Sequence, residues 1–225
     1  DHMSSSPPIT SLDVKLLSGN INHTVKFKLF IPNTRGGDNE VFTTALLKEL
    51  GFLAPKTYHV PATFNGQETI FLFQEKITKE FIESNHLRES SILEGDERFL
   101  FANDSFDKYG LTRIVNDKWS AKGDASLSIS KVALMKLNKI YFRYLSGKFI
   151  YKNRNRRFLS FSFLLEGKFI DKHREFQAIL VAIGAAHGLR PHNRSFYYDP
   201  IYRYFKPIYY DGDSTITKLN GNLNN

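Results

Sequence analysis

The sequence of 225 residues contains no cysteine, so disulfides, thiolate metal sites and a cysteine nucleophile are excluded. A cysteine-free chain works in either redox compartment, which leaves that question open. No apolar run approaches the roughly 18 residues needed to cross a membrane as a helix, and no internal repeat or long low-complexity tract occurs. What is present is aromatic and basic. Hydrophobic residues make up 41% of the chain, with 20 Phe and 11 Tyr, enough to bury a sizeable core in one large or one two-lobed domain. The formal charge of +8 favours an anionic partner such as a nucleotide, a nucleic acid, an acidic protein or a membrane surface. Charge alone does not choose among them. The opening Asp1-His2-Met3 reads as an expression-vector scar before a Ser/Pro linker (residues 1–8), so localisation is not legible at this end.

Periodicity predicts the following elements. Leu12–Leu17 and Thr24–Ile31 read as strands; in the second, Val25, Phe27, Leu29 and Ile31 share one face, and Lys26 and Lys28 the other. A loop through Gly36-Gly37 leads to a helix capped by Asp38 or Asn39, with an apolar stripe of Phe42, Ala45, Leu46 and Leu50, stopped by Gly51. Thr57–Thr63 and Thr69–Phe73 form a hairpin around Asn65-Gly66. Thr78–Ser84 is a short helix, and Leu127–Leu145 an amphipathic one; Glu94–Lys122 between them reads as charged, turn-rich chain. A helix from Asp171 buries Phe176, Ile179, Leu180 and Ile183 and ends near Gly188. A polar loop then enters an aromatic hairpin, Ser195–Tyr198 and Phe205–Tyr210, turning at Asp199-Pro200 and closed by Asp211-Gly212-Asp213.

The last unit brings His192/Asn193 and Asp211 to matching ends of two antiparallel strands. An amide oxygen and a carboxylate converging there suit a hard divalent cation on nucleotide phosphates. Taken singly, Asn193 is equally a turn residue and Asp211 a surface carboxylate. Lys26 or Lys28 is the candidate to neutralise phosphates, with Glu40, or Glu49, as the helical carboxylate orienting it. Gly36-Gly37 is too short and too late for a phosphate-clamping loop.

Several segments taken in order resemble the CotH kinases, a spore-coat family with an atypical protein-kinase-like fold. They are Lys26–Ile31, Asn39-Glu40 through Leu50-Gly51-Phe52-Leu53-Ala54-Pro55, and Phe64-Asn65-Gly66 followed by Phe71–Ile77. His192-Asn193-Arg194-Ser195-Phe196-Tyr197-Tyr198 and Pro207-Ile208-Tyr209-Tyr210-Asp211-Gly212-Asp213 complete the set. The resemblance spans residues 25–85 and 170–214. It implies an α+β, two-lobed fold: a small antiparallel-sheet lobe at 9–77, a mainly helical large lobe at 78–216, and a frayed tail at 217–225. It further implies an Mg-ATP-binding kinase acting on Ser/Thr of a protein. By the same resemblance Asn193 and Asp211 hold magnesium, assisted by Asp213, and Gln74, Glu75, Lys76 and Ile77 form the adenine-contacting hinge.

One departure stands out. A carboxylate is expected ahead of the catalytic-loop Asn, and residues 183–190 contain none. His187 is the alternative proton acceptor; otherwise the carboxylate arrives from elsewhere in the chain, or the chain is an impaired kinase or a pseudokinase. Two rivals remain. Lys148, Lys152, Arg154, Arg156 and Arg157, interleaved with Phe149, Tyr151, Phe158, Phe161 and Phe163, suit a nucleic-acid-binding module or a dock for an acidic protein substrate. His187, His192, Asp199, Asp211 and Asp213 suit a metal hydrolase, although the His spacing across Gly188 and Pro191 breaks helical pairing.

Overall fold

β1 (Leu12–Lys15) and β2 (Lys26–Phe30) pair antiparallel in the computed structural model, which describes residues 10–96, 112–150 and 169–216, without the side chains of 144–150. β3 (Thr57–Phe64) and β4 (Gln67–Glu75) form the expected hairpin, longer than the pattern indicated. Asn65 and Gly66 both take positive φ (51° and 79°), as the tight turn demands, and Phe64 faces Gln67 across it. The sheet order is β1-β2-β4-β3, so Pro61 lies on an edge strand, where its missing N–H breaks no interior ladder.

α1 (Asp38–Glu49) corrects two sequence expectations. Its N-cap is Gly37 rather than Asp38 or Asn39, at φ 49° and ψ −121°, a conformation that side-chain-bearing residues rarely adopt. Its inward face is Glu40, Thr43, Thr44 and Leu47, whereas Phe42, Ala45 and Leu50 are exposed. Leu47 enters an apolar cluster with Phe52, while Thr43 on the same inward face meets the polar segment following the last strand. Thr43 Oγ1 donates to Ser214 Oγ (2.8 Å), and Ser214 Oγ donates to the Asn39 carbonyl (3.1 Å).

A second antiparallel sheet has the order β6-β5-β7-β8, from β5 (Ile92–Gly95), β6 (Thr112–Ile114), β7 (Ser195–Asp199) and β8 (Tyr204–Ile208). The architecture is therefore α+β with two antiparallel sheets. β7 is buried along its whole length, and its alternation sorts the aromatic side chains between two cores. Phe196 and Tyr198 pack with Ala133, Leu137 and Tyr141 of α4 (Asp124–Ile150). Tyr197 packs on the other face with Phe81 and Ile82 of α2 (Lys79–Ser84). A short helix, α3 (Asp117–Ser120), precedes α4 and buries Trp119.

α5 (Ile170–Ala182) ends earlier than its sequence pattern indicated. Gly184 takes φ 70°, and the Ala185 N–H returns to the Leu180 carbonyl (2.7 Å), closing the helix. The polar loop beyond it folds as two 3-10 turns, 186–189 and 191–193. Phe176 and Leu180 of α5 join Leu47, Phe52 and Tyr209 in a third cluster, tying the first sheet's helix to the second sheet. His173 is buried against β8, hydrogen-bonded to the Phe205 carbonyl, and burial lowers its pKa to about 4, so it packs as a neutral ring. The two sheets also meet through backbone: Tyr209 N–H donates to the Leu53 carbonyl (2.8 Å).

Candidate functional site

The site begins where the chain leaves β8. Tyr209, Tyr210 and Asp211 run back across the first sheet and its helix, and each side chain engages that neighbour. Tyr209 is buried, and its hydroxyl donates to Glu40 Oε2 (2.6 Å). Gln74 Nε2 of β4 donates to Glu40 Oε1 (2.9 Å). Glu40 thus has both oxygens occupied, and it does not pair with Lys26 or Lys28. The expected lysine–glutamate pair is corrected: Glu40, one turn into α1, meets Gln74 and Tyr209 before it reaches a β2 lysine. Burial pushes the Glu40 carboxyl up, against the opposing pull of Tyr209, Arg35 and Gln74. Burial and the Glu40 carboxylate likewise push the Tyr209 phenol far up, so it stays a donor. The other helical candidate, Glu49, is exposed at the far end of α1.

Arg35, which sequence reasoning passed over, is the cation at this junction. Its guanidinium lies between the rings of Phe30 and Tyr210, 4.8 and 4.9 Å from their centroids. Nη1 meets Asp211 Oδ1 at 2.7 Å, with the two side chains only 14% and 24% exposed. Burial alone lowers the Arg35 pKa, but Tyr210, Asp211 and Glu40 more than offset it, and the net shift is upward. Nε and Nη2 are buried without a hydrogen-bond acceptor among the described residues; the two aromatic faces supply part of the missing stabilisation. The signal available in the sequence was its position just before Gly36-Gly37 and the Tyr-Tyr-Asp run that receives it.

His187, Asn193 and Asp211 do come together. His187 Nδ1 lies 2.9 Å from the Asp211 carbonyl oxygen and 3.9 Å from its Oδ1. Asn193 Nδ2 donates to the His187 carbonyl (3.1 Å) and lies 3.1 Å from His187 Nδ1. A carbonyl only accepts, so the contact with Asp211 places the His187 proton on Nδ1, and Nε2 lies 3.4 Å from Asn193 Nδ2. Asp211 holds a left-handed backbone (φ 48°), as does the exposed Asp213 (φ 51°). Asp213 is not drawn into the cluster by any hydrogen bond or ion pair among the described residues.

A cleft of about 250 Å³ lies between the two sheets; His187, Asn193 and Asp211 do not line it, although His192 and Tyr210, next to Asn193 and Asp211 in the chain, do. Lys28, Gln74, Glu75, Lys76 and Ile77 line one side, and His192, Ser195 and Tyr210 another. Lys26 does not line it, which separates the two lysine candidates. The cleft's other cations are paired: Lys76 with Asp13 (2.7 Å), and Arg113 with Glu94. Among the described residues Lys28 has no carboxylate partner; its Nζ lies 3.4 Å from the Tyr210 hydroxyl and faces the Phe30 ring. Glu75 is turned into the protein, accepting from the Lys56 backbone N–H (3.2 Å) and Thr24 Oγ1 (3.3 Å).

A divalent cation on nucleotide phosphates needs only one or two protein oxygens, the rest of its shell being phosphate and water. Asn193 turns its amide nitrogen to His187, so its carbonyl oxygen faces away from those bonds, and Asp211 engages Arg35 through one oxygen. That donor set fits magnesium in this shared mode. It does not fit a cation held by protein alone: among the described residues no group of three or more His, Asp or Glu is placed to hold a metal. The metal-hydrolase arrangement is not assembled either. Asp199 sits at the far end of β7, capping the β7–β8 turn by accepting from the Ile201 and Tyr202 N–H groups. The aromatic-basic stretch proposed for nucleic acid lies at 148–163, outside the residues whose side chains are described.

No protein-family model matches the chain, and no curated protein matches it.

Proposed function

We propose that the chain is a two-lobed, kinase-like protein that binds Mg-ATP in the cleft between its sheets and transfers the γ-phosphoryl group to Ser or Thr of a protein. The observation that carries this reading is Lys28, a cleft cation without a carboxylate partner among the described residues, in a cleft also lined by His192 and Tyr210, the chain neighbours of Asn193 and Asp211. Gln74 to Ile77 border the cleft as an extended segment leaving the first sheet, the position from which backbone groups read an adenine edge. The order α5, loop, β7–β8 hairpin, Asp211 is the layout in which kinases place a metal-binding Asn and Asp.

In this reading Lys28 neutralises phosphate oxygens, and the Asn193 and Asp211 oxygens hold magnesium. Bound there, magnesium draws off negative charge from the phosphates. The substrate hydroxyl oxygen forms a bond to the γ-phosphorus, the bridging bond to the β-phosphate breaks, and ADP departs. The hydroxyl proton passes to His187 Nε2, because Nδ1–H is held by the Asp211 carbonyl. Arg35 sets a condition on all of this: it screens Asp211 and thereby weakens the carboxylate's hold on a cation. Nucleotide binding without transfer is the form the reading takes if His187 does not act as the base.

A thermal-shift titration with ATP, with and without magnesium, tests the proposal. Ligand at about 100 times its Kd adds about 2.7 kcal/mol to the native state, and roughly 2–4 °C per kcal/mol is expected for a domain of this size. A magnesium-dependent rise supports it; no rise at millimolar Mg-ATP rejects it. His187→Ala is then expected to slow transfer to a Ser/Thr acceptor by about 100-fold or more while leaving the ATP shift intact. An unchanged transfer rate would remove His187 from the chemistry.

A further inference from the structure

Two grooves lie outside the nucleotide cleft and share no lining residue with it. The larger, about 650 Å³, runs between the C-terminal end of α1, the end of α2, α5 and β8. Its charged lining residues are Lys48, Lys56, Lys172 and Lys206. The smaller, about 260 Å³, lies between α4, the start of α5 and β8, and carries Lys136, Lys139, Arg143 and Arg203. Among the described residues lining either groove, no side chain is acidic. Phe169 and Tyr204 line both, so the two basic grooves adjoin across that pair of rings.

Like charges gathered without interleaved carboxylates raise a local positive potential that an anionic partner relieves. The flanking acids offset it only in part. Lys172 pairs with Glu175 at 2.8 Å on the exposed face of α5, while Lys56 and Lys206 stand 3.7 and 3.8 Å from Glu75 and Asp199. Lys48 has no ion pair among the described residues, and burial, with neighbouring Lys56, lowers its pKa against the opposing pull of Glu75.

The floors of the grooves decide the class of partner. Binding of unpaired nucleic-acid bases needs aromatic faces open for stacking. Here Phe169 stacks on Tyr204 at 3.7 Å, and Phe52, only 6% exposed, packs against Phe176 with Lys172 over its ring at 5.3 Å. Leu53, Leu87 and Pro207 supply aliphatic floor in the larger groove, and Ile140 and Ile170 in the smaller. Lysines above an aliphatic floor suit carboxylates alternating with apolar side chains.

We propose that the paired grooves are a docking surface for an acidic peptide segment of a partner protein, with its carboxylates on the lysines and its apolar side chains between them. Docking there does not depend on the nucleotide reading, since none of the cleft residues takes part.

The test is fluorescence-anisotropy binding of a labelled peptide of about fifteen residues, glutamates interspersed with leucines, to the full chain without nucleotide. An oligothymidylate of matched charge is the comparison probe. Binding of the peptide is expected to weaken at least about tenfold on raising salt from about 50 to about 500 mM, as charged contacts are screened. The double change Lys172→Gln, Lys206→Gln is expected to weaken it about tenfold, and Lys136→Gln with Arg203→Gln several-fold. Lys122→Gln, outside both grooves, is expected to leave it unchanged. Glutamine replacements are chosen because they remove charge without reversing it, and melting curves show whether each variant is folded. Tighter binding of the oligothymidylate, loss of peptide affinity in Lys122→Gln alone, or no peptide binding at low salt would overturn the proposal.

Discussion

Asp211→Asn is expected to remove the magnesium-dependent part of ATP stabilisation and to lower the melting temperature of the free protein. The substitution isolates charge from backbone. Asp211 sits at φ 48°, a left-handed conformation that Asn tolerates at least as well as Asp, whereas Ala would add strain. Its carbonyl still accepts from His187, and an amide oxygen still accepts from Arg35, so only the ionic component of the 2.7 Å contact is lost. Charged hydrogen bonds exceed neutral ones by about 1–1.5 kcal/mol, so the free protein should melt roughly 2–6 °C lower. Arg35→Gln is the companion. It breaks the same ion pair but keeps the carboxylate, so it should lose similar stability while retaining the magnesium dependence. If Asp211→Asn keeps a wild-type magnesium-dependent shift, Asp211 is not a metal ligand.

Gly95→Ala is expected to be the most damaging single methyl group in the site region. Gly95 ends β5, and its N–H donates to the Arg194 carbonyl (3.0 Å). A Cβ built there would stand 2.1 Å from the Pro191 carbonyl oxygen and 2.4 Å from His192 Cα. Both are backbone atoms, so no side chain can swing aside, and the 191–193 turn must move by about 1–1.5 Å to reach ordinary contact distance. Overpacking of this kind costs about 1–3 kcal/mol and occasionally more. The shift carries Asn193 away from His187 and His192 out of the cleft wall. Denaturant unfolding should show the lost stability, and the ATP shift should shrink with it. Wild-type values for both would mean that the turn is not seated on β5. By contrast, Gly123 has open space around it, and Ala there is expected to leave both measurements unchanged.

The hairpin of β3 and β4, the β7–β8 hairpin and the long α4 were all legible, because alternation, an Asn-Gly turn and a 3.6-residue repeat are written into neighbouring residues. β5 and β6 were not. Ile92–Gly95 and Thr112–Ile114 are too short to show alternation; they become strands by pairing with each other, and β5 with β7, about a hundred residues on. The same limit applied to the site. Asn193 and Asp211 were legible from strand-end symmetry, and His187 from the missing carboxylate. Arg35, Tyr209, Tyr210 and Gly95 had no local pattern to mark them.

Composition therefore excluded cysteine chemistry, and local patterning determined the mix of strands and helices, the order of most elements, and the small group of polar residues at the ends of β7 and β8. Which of those residues meet was decided only by long-range packing. Lys28 was separated from Lys26 by the cleft between the sheets. Glu40 was drawn to Gln74 and Tyr209 rather than to a lysine, and Arg35 to Asp211, across 176 positions of chain. The physical reason is common to these cases. A buried polar group must find partners wherever folding places them, and the favourable contact depends on distance in space, which sequence separation does not encode.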